Sequence, residues 1–217
     1  FNANVATINS GTFVNDGTRG VIYTYAKWND TYGKGTLDIN GGIFVNKGTS
    51  IIEKSATNAT VNITGGVFSS QVDGSTEKGS LYVYPSTNPV AKIGDLAFSN
   101  VADAVYAAGT NDTITMVNNT NLFEVLQIPA DKTIILDLNG YTIKAPTTKA
   151  YDAIINRGTL TIKDSKKTGE IISDYNTGIG LLANSKTTIE YAKITGREGA
   201  IGGYASTVGA TLTINDG

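Results

Sequence analysis

The sequence predicts an all-β protein built as a parallel β-helix, a solenoid of stacked coils. The first observation is a repeated phrase, in which two alternating apolar residues precede a small polar corner and a further apolar residue. The phrase is clearest at 37–44 (LDINGGIF) and 61–68 (VNITGGVF), and it recurs more loosely at 136–143, 160–164, 187–194 and 212–217. Short alternating strands with Asn and Gly at the corners are typical of a chain that turns often.

The second observation is the regular spacing of the copies. Their central apolar residues are 24 to 27 residues apart, counted from Ile39 to Ile63, from Leu138 to Ile162, from Ile162 to Ile189 and from Ile189 to Ile214. A fixed period of this size indicates a solenoid, because each coil buries its apolar face only by stacking on its neighbours.

The alternation predicts which side chains face the core. The expected inward residues are Ile39, Phe44, Ile63, Phe68, Leu136, Leu138, Leu160, Ile162 and Ile214, and the expected outward residues are Asp38, Asn62, Asp137 and Thr161. In-register stacking would bring Asn40, Asn139 and Asn215 to the same corner, where their amides can form a hydrogen-bonded ladder. A compatible interpretation is that these Asn residues are simply favourable in turns.

The middle of the chain interrupts the repeat and predicts a division into two parts. Residues 85–91 contain two of the four prolines. After them, Val101, Ala104, Val105 and Ala108 have the spacing of one helix face. Ser99 or Asn100 can cap the start of this helix, and Gly109 suits its end. We therefore expect the last coils of one β-helix at 1–84, a junction at 85–91, and a second β-helix at 92–217 whose first coil is covered by a helix near 100–108.

Four motifs in the second part carry a resemblance to a known family. They are Ile93-Gly94-Asp95, the Ala-rich segment 101–108, Asp112-Thr113-Ile114, and the stretch 136–143 (LDLNGYTI). In this order they resemble the pectin-lyase-like right-handed β-helix modules repeated in large surface proteins of Gram-positive bacteria. The resemblance implies a right-handed coil and an extracellular or cell-surface location. It brings no catalytic motif.

Composition excludes several classes of function. The net charge of −2 gives no indication of nucleic-acid binding, and the absence of Cys and His rules out thiol chemistry, disulfides and His-based catalysis within this segment. No apolar window of about 18 residues predicts membrane insertion. The chain begins at Phe1 without an initiator Met, so we expect a piece of a longer protein.

Enzymes of the pectin-lyase-like fold use clustered carboxylates with calcium and a basic residue, or paired aspartates with histidine. The three arginines, Arg19, Arg157 and Arg197, lie far in sequence from any acidic cluster. The acidic residues of the repeat and of the Lys-rich turn are interpreted as a solvated face; they are Asp38, Asp137, Asp164 and Asp174. We predict no catalytic residue, metal site or cofactor.

The segment 23–32 is the best candidate for a binding site. It contains Trp28, the only Trp of the sequence, and three tyrosines, Tyr23, Tyr25 and Tyr32. Exposed aromatic rings beside Asn and Asp can stack on sugars, so these four residues form a predicted glycan-binding site. The alternative is an aromatic loop packed locally against the side of the solenoid.

The function that these observations favour is a structural, non-enzymatic segment of a bacterial surface fibre, stalk or adhesin. We expect copies of the chain to stack head-to-tail, because the sequence stops in mid-phrase and an open coil exposes strand edges. The copies can be joined covalently, as a tandem array in one chain, or by a non-covalent contact. The alternative is a polysaccharide-binding or polysaccharide-lyase-type module. A groove that gathers Asp38, Asp137, Arg157 and Trp28 would favour the alternative, and scattered positions would favour the structural function.

Overall fold

A computed structural model describes residues 5–24, 36–46, 51–54, 60–68, 82–83, 88–147, 151–204 and 207–216. The chain divides into two compact units, Phe1–Asn88 with Leu96–Ala107, and Pro89–Asp95 with Ala108–Gly217. The segment that contains the helix belongs to the first unit, whereas the sequence placed it at the start of the second β-helix. The boundaries 1–84, 85–91 and 92–217 stay a prediction.

The described part of the chain contains 24 strands and one helix. In chain order they are β1 (Val5–Ile8), β2 (Thr12–Asn15), β3 (Ile22–Thr24), β4 (Thr36–Ile39), β5 (Ile43–Asn46), β6 (Ile52–Lys54), β7 (Thr60–Ile63), β8 (Val67–Phe68), β9 (Tyr82–Val83), β10 (Ala91–Ile93), β11 (Leu96–Phe98), α1 (Val101–Ala107), β12 (Asp112–Met116), β13 (Thr120–Asn121), β14 (Leu126–Ile128), β15 (Thr133–Asp137), β16 (Thr142–Lys144), β17 (Ile154–Asn156), β18 (Thr159–Lys163), β19 (Glu170–Ser173), β20 (Thr177–Leu181), β21 (Lys186–Ile189), β22 (Lys193–Gly196), β23 (Gly199–Gly203) and β24 (Thr211–Ile214).

The first unit consists of coils stacked through parallel strands. Its sheets run β1-β4-β7, β2-β5-β8 and β3-β6, and β9 pairs antiparallel with β8. Ile8, Ile39 and Ile63 form one row across the first sheet. Along the second sheet Phe13, Phe44 and Phe68 form another row. The ring centroids of successive residues are 5.0 and 4.9 Å apart, and both interplanar angles are 10°. The rings therefore stack along the axis of the coils.

The second unit repeats the arrangement with longer sheets. Its parallel sheets run β12-β15-β18-β21-β24, β13-β16-β19-β22 and β14-β17-β20-β23, and β10 lies antiparallel at the outer edge of β12. The row through the first of these sheets contains Ile114, Leu136, Ile162, Ile189 and Ile214. The predicted fold class is confirmed: the chain is mostly β, and its strands stack as the parallel coils of a β-solenoid.

The predicted register of one coil is wrong. Leu136, and not Leu138, pairs with Ile162, so this coil has 26 residues where the phrase indicated 24. Both leucines are fully buried, Leu136 on the strand and Leu138 at the corner that follows. A shift of two residues leaves every side chain on the same face of a strand, and the alternation therefore does not detect it.

Most of the expected core residues are buried. Ile39, Phe44, Phe68, Leu136, Leu138, Leu160 and Ile162 are completely shielded from solvent. Ile63 is half-buried, and Ile214, on the last described strand, is 60% exposed. Inward orientation buries a side chain only where a further coil covers it.

The predicted helix is confirmed as α1. Its inward residues Val101, Ala104 and Val105 are buried, as is Ala108 just beyond its end. The side chain of Asn100 accepts a hydrogen bond of 2.8 Å from the backbone of Ala102 and so caps the first turn. No helix in the described part of the chain has the length and apolarity that a membrane span requires.

Candidate functional site

The predicted glycan-binding segment lies almost entirely outside the described residues. Tyr25, Trp28 and Tyr32 are not among them. Tyr23 belongs to β3, where its backbone aligns with Glu53 of β6, and its side chain is not described. The glycan-binding role of these four residues stays a prediction.

The three predicted ladder residues occupy different settings. Asn40 belongs to the first unit, where its Nδ2 donates to Asn9 Oδ1 at 2.9 Å and its Oδ1 accepts from the Thr64 hydroxyl at 2.8 Å. Polar side chains are thus bonded across three successive coils of that unit. Asn139 and Asn215 belong to the second unit.

In the second unit, Asn139 has a left-handed backbone conformation with a φ of 48°, and its Nδ2 donates to the Met116 carbonyl at 2.9 Å. Asn215 directly follows Ile214 of the β24 row, whereas Asn139 lies three residues beyond Leu136 of the same row. The backbone N–H of Asn215 donates to Ile189 at 2.8 Å. Each of these two bonds therefore reaches a neighbouring coil, Asn139 to the coil of β12 and Asn215 to the coil of β21.

Two aspartates close the corners of the second unit. Asp164 is 2% exposed, and its oxygens accept hydrogen bonds from the backbone N–H groups of Gly140 at 2.7 Å, Lys166 at 3.3 Å and Gly169 at 2.5 Å. Gly140 lies one coil earlier in the chain and has a φ of 84°. Asp164 thus ties its own turn to the turn of the neighbouring coil.

Asp137 has the same role one coil earlier. Its Oδ1 accepts from the backbone N–H groups of Asn139 at 2.9 Å and Ser165 at 3.0 Å, and its Oδ2 lies 3.8 Å from Lys163 Nζ. The interpretation of Asp137 and Asp164 as a solvated face is therefore wrong. Each is buried because it satisfies backbone donors that a sharp corner leaves without strand partners.

The other acidic residues of that interpretation lie at the surface. Asp38 is half-buried, and its Oδ1 accepts from Asn62 Nδ2 at 2.7 Å. Asp174 is exposed and forms an ion pair of 2.7 Å with Lys144. Within the described ranges no group of three or more Asp, Glu, His or Cys side chains is placed to hold a metal ion.

In the first unit the corner is closed by α1 and the residues before it. Asp103 is 1% exposed, and both of its oxygens lie 3.1 Å from the backbone nitrogen of Gly42. Asn100 Nδ2 donates to the Asn9 carbonyl at 3.1 Å, and the Ser99 hydroxyl donates to the Asn40 carbonyl. Burial raises the pKa of Asp103 to about 7, and the hydrogen bond from Gly42 opposes that shift.

This docking explains the Gly-Gly pair of the repeated phrase. A Cβ atom on Gly41 would lie 2.5 Å from the Asn9 carbonyl oxygen and 3.1 Å from Asp103 Oδ2, and one on Gly65 would overlap the Ser99 hydroxyl. The second glycines, Gly42 and Gly66, have φ values of 110° and 126°. The first glycine therefore makes room for the neighbouring coil and the helix segment, and the second permits the turn.

A further polar cluster lies in the second unit and was not predicted. Asp152 is 2% exposed, and it accepts hydrogen bonds from the Thr177 backbone N–H at 3.1 Å and from the Tyr204 hydroxyl. The Tyr204 ring is 42% exposed and lies against Gly180, where a Cβ would be 2.9 Å from its Cε2 atom. Gly180 was the available sequence signal for the close approach of this ring.

Exposed polar groups complete the cluster. The Arg157 guanidinium donates to the Gln127 side chain. The pKa of Tyr204 rises to about 12 because of burial, and then because of the hydrogen bond and the charge of Asp152, while the charge of Arg157 opposes the rise. The Tyr204 phenol thus contacts the buried Asp152 carboxyl group, and the charge of Arg157 acts on the phenol.

Four residues were expected to discriminate the structural function from the polysaccharide-related one. The three that the structure describes belong to, or directly follow, strands of three different sheets. Asp38 is in β4 of the first unit, Asp137 ends β15 of the second, and Arg157 directly follows β17 in another sheet of that unit. Trp28 lies outside the described residues. The Arg157 side chain bonds that of Gln127, and its charge acts on Tyr204.

Comparison of the chain with protein-family models, with curated proteins and with solved structures finds no match.

Proposed function

We propose that this chain is a structural segment of an extracellular bacterial surface fibre, stalk or adhesin, and that copies of it stack head-to-tail. The architecture supports the proposal, since stacked coils transmit their order from one coil to the next and extend without a natural limit. The bacterial cell-surface origin is taken from the resemblance carried by the motifs within residues 93–143. The corner carboxylates Asp137 and Asp164 support it as well, because backbone N–H groups occupy their oxygens.

The observation that carries the proposal is a pair of matching strand edges. Among the described strands, β1 pairs only with β4, and β24 pairs only with β21. The inward residues Ala6 and Ile8 of β1 are half-buried, and Leu212 and Ile214 on β24 are 41% and 60% exposed. Burial of such apolar groups by a stacked copy would stabilise the assembly by about 25 cal/mol for each Å² of apolar surface removed from water.

The two edges carry the same pattern of side chains. Leu212 and Ile214 on β24 correspond to Ala6 and Ile8 on β1, and Asn215 and Asn9 directly follow these strands. Parallel pairing in this register places apolar residues above apolar residues and Asn215 beside Asn9, whose side chain already bonds that of Asn40. The stacked copy therefore continues both the core and the polar corner.

Sedimentation velocity and electron microscopy of the 217-residue chain over a range of concentrations test the proposal. We expect linear assemblies that grow with concentration. The variant Ile214→Glu, which places a charge in the stacked core, should abolish them, while Thr213→Glu on the outward face of the same strand should not. Monodisperse particles of 22.7 kDa at every concentration would contradict head-to-tail stacking.

A second candidate function, polysaccharide binding, is favoured by the cluster of Tyr204, Asp152 and Arg157. An exposed aromatic ring beside a hydrogen-bonding carboxylate and a guanidinium suits an acidic sugar chain. Affinity electrophoresis in gels containing an acidic polysaccharide tests this function. Retardation that Arg157→Gln abolishes and Arg197→Gln preserves would support it.

Loss of that retardation in Trp28→Ala instead would assign the binding to the aromatic segment 23–32. An unretarded wild-type chain would remove the second candidate.

A further inference from the structure

The residues at the start of α1 contact successive coils of the first unit. Asn100 bonds the carbonyl of Asn9, which follows β1, and Asp103 bonds the backbone of Gly42, which follows β4. Ser99 bonds the carbonyl of Asn40, and its hydroxyl fills the space beside Gly65, which follows β7. One short segment therefore spans the corners of three coils.

The apolar face of α1 strengthens this attachment. Val101, Ala104 and Val105 are at most 2% exposed. A helix of seven residues has little stability of its own in water, so α1 depends on its contacts. Any change that weakens the polar contacts of Asp103 consequently acts on the whole helix.

Asp103 is the weak point of the attachment when it is ionised. The backbone N–H of Gly42 lies 3.1 Å from both carboxylate oxygens, whereas Asp164 in the second unit receives three backbone N–H groups. The strands packed most closely on α1 are β8 and β11, and their described residues carry no ionisable side chain. The strand before the Gly42 corner, β4, carries Asp38, whose Oδ1 accepts from Asn62 Nδ2. Just beyond the helix end, Lys132 Nζ donates to the Ala108 carbonyl at 2.7 Å. On the helix itself the other ionisable side chain is that of Tyr106.

We propose that α1 is a pH-sensitive clasp, which holds the coil corners of the first unit most tightly while Asp103 is protonated and loosens as Asp103 ionises. The proposal is independent of the head-to-tail stacking described above. It concerns the integrity of the three coils themselves.

The direction follows from linkage. Docking raises the pKa of Asp103 from 3.8 to about 7, so the docked helix binds a proton more tightly than the released one. The stabilisation is complete below about pH 4 and is lost as the pH rises through about 7. Within this window the ratio of docked to released helix falls by at most about tenfold per pH unit, the limit for one proton.

Hydrogen exchange of the backbone amides of residues 101–107 tests the clasp. In the wild-type chain we expect the protection factors, corrected for the intrinsic exchange rate, to fall at least tenfold between pH 5 and pH 8. The variant Asp103→Asn keeps an oxygen for Gly42 but does not ionise, so its protection should be independent of pH. Asp131→Asn, at an exposed carboxyl group, should behave as the wild type does.

The proposal is overturned if wild-type protection is flat over this range, or if Asp103→Asn loses protection as steeply as the wild type. A second measurement applies if Asp103→Asn does not fold. The carboxyl carbon of Asp103, followed by NMR in the wild-type chain, should titrate near pH 7, and a titration near pH 4 would overturn the clasp.

Discussion

The two units solve one structural problem in different ways. In both, a glycine with positive φ turns the chain at the corner of the repeated phrase, and its N–H needs a partner. In the second unit Gly140 finds it in Asp164, 24 residues away in the adjacent coil. In the first unit Gly42 finds it in Asp103, 61 residues away on α1.

The difference shows that a repeated phrase does not determine how its corner is completed. In the second unit the carboxylate of Asp164 comes from the adjacent coil and accepts several N–H groups. The corner at Gly140 is therefore completed by residues of the repeat itself. A carboxylate from a separate helix makes the corner dependent on that helix. The Gly42 corner of the first unit therefore depends on the docking of α1.

The largest effect that separates the units is expected in the core. Ile162→Asp buries an unpaired charge at a position shielded from all solvent, and it should lower the free energy of unfolding by about 4 kcal/mol or more. Ile63→Asp in the first unit should cost less, because Ile63 is half-buried. Urea unfolding followed by circular dichroism measures both.

Thr161→Asp, on the outward face beside Ile162, is the matched control, and it should change the stability by less than about 1 kcal/mol. An Ile162→Asp chain as stable as this control would contradict the assigned faces of β18.

The next effect concerns the aromatic row that distinguishes the first unit. Phe44 is fully buried between Phe13 and Phe68, so Phe44→Ala should destabilise that unit by about 3 kcal/mol through the cavity and the lost ring stacking. Phe123→Ala, at a ring of the second unit that is 66% exposed, should change stability by less than about 0.5 kcal/mol. Equal losses in thermal unfolding would show that the row is not the core of the first unit.

Local patterns in the sequence predicted the strands and the helix. The alternation at Leu160 and Ile162 and the spacing of Val101, Ala104 and Val105 report which faces are buried, because burial follows the period of the element. These patterns do not determine the pairing register between two strands, because a shift by two residues leaves every side chain on the same face. The pairing of Leu136 with Ile162 is such a case.

The corner chemistry could not be predicted because its partners are distant in the chain. Asp137 and Asp164 read as surface charges, since an acidic residue in a polar turn is usually solvated. Their burial depends on N–H groups from another coil. Likewise, Ser99 and Asn100 indicated only a helix start. Their bonds to Asn40 and Asn9, and the bond of Asp103 to Gly42, arise from the folded chain.

The smallest effect is expected at the surface ion pairs of both units. Lys193→Ala removes a pair of 3.1 Å with Glu170, and Arg19→Ala removes one of 2.9 Å with Glu53. Because the two basic side chains are mostly exposed, each substitution should cost less than about 1 kcal/mol, and added salt should reduce the difference. Larger, salt-independent losses in thermal unfolding would indicate that these residues have a role in packing.

Amide hydrogen exchange at Gly42 and Gly140 tests the central comparison most directly. Asp103→Ala should speed the exchange of the Gly42 amide and leave Gly140 protected, because each carboxylate serves its own corner. Asp164→Ala should have the opposite effect, exposing Gly140 and leaving Gly42 unchanged. Continued protection of Gly42 in Asp103→Ala, or loss of protection at both glycines in either variant, would contradict the account.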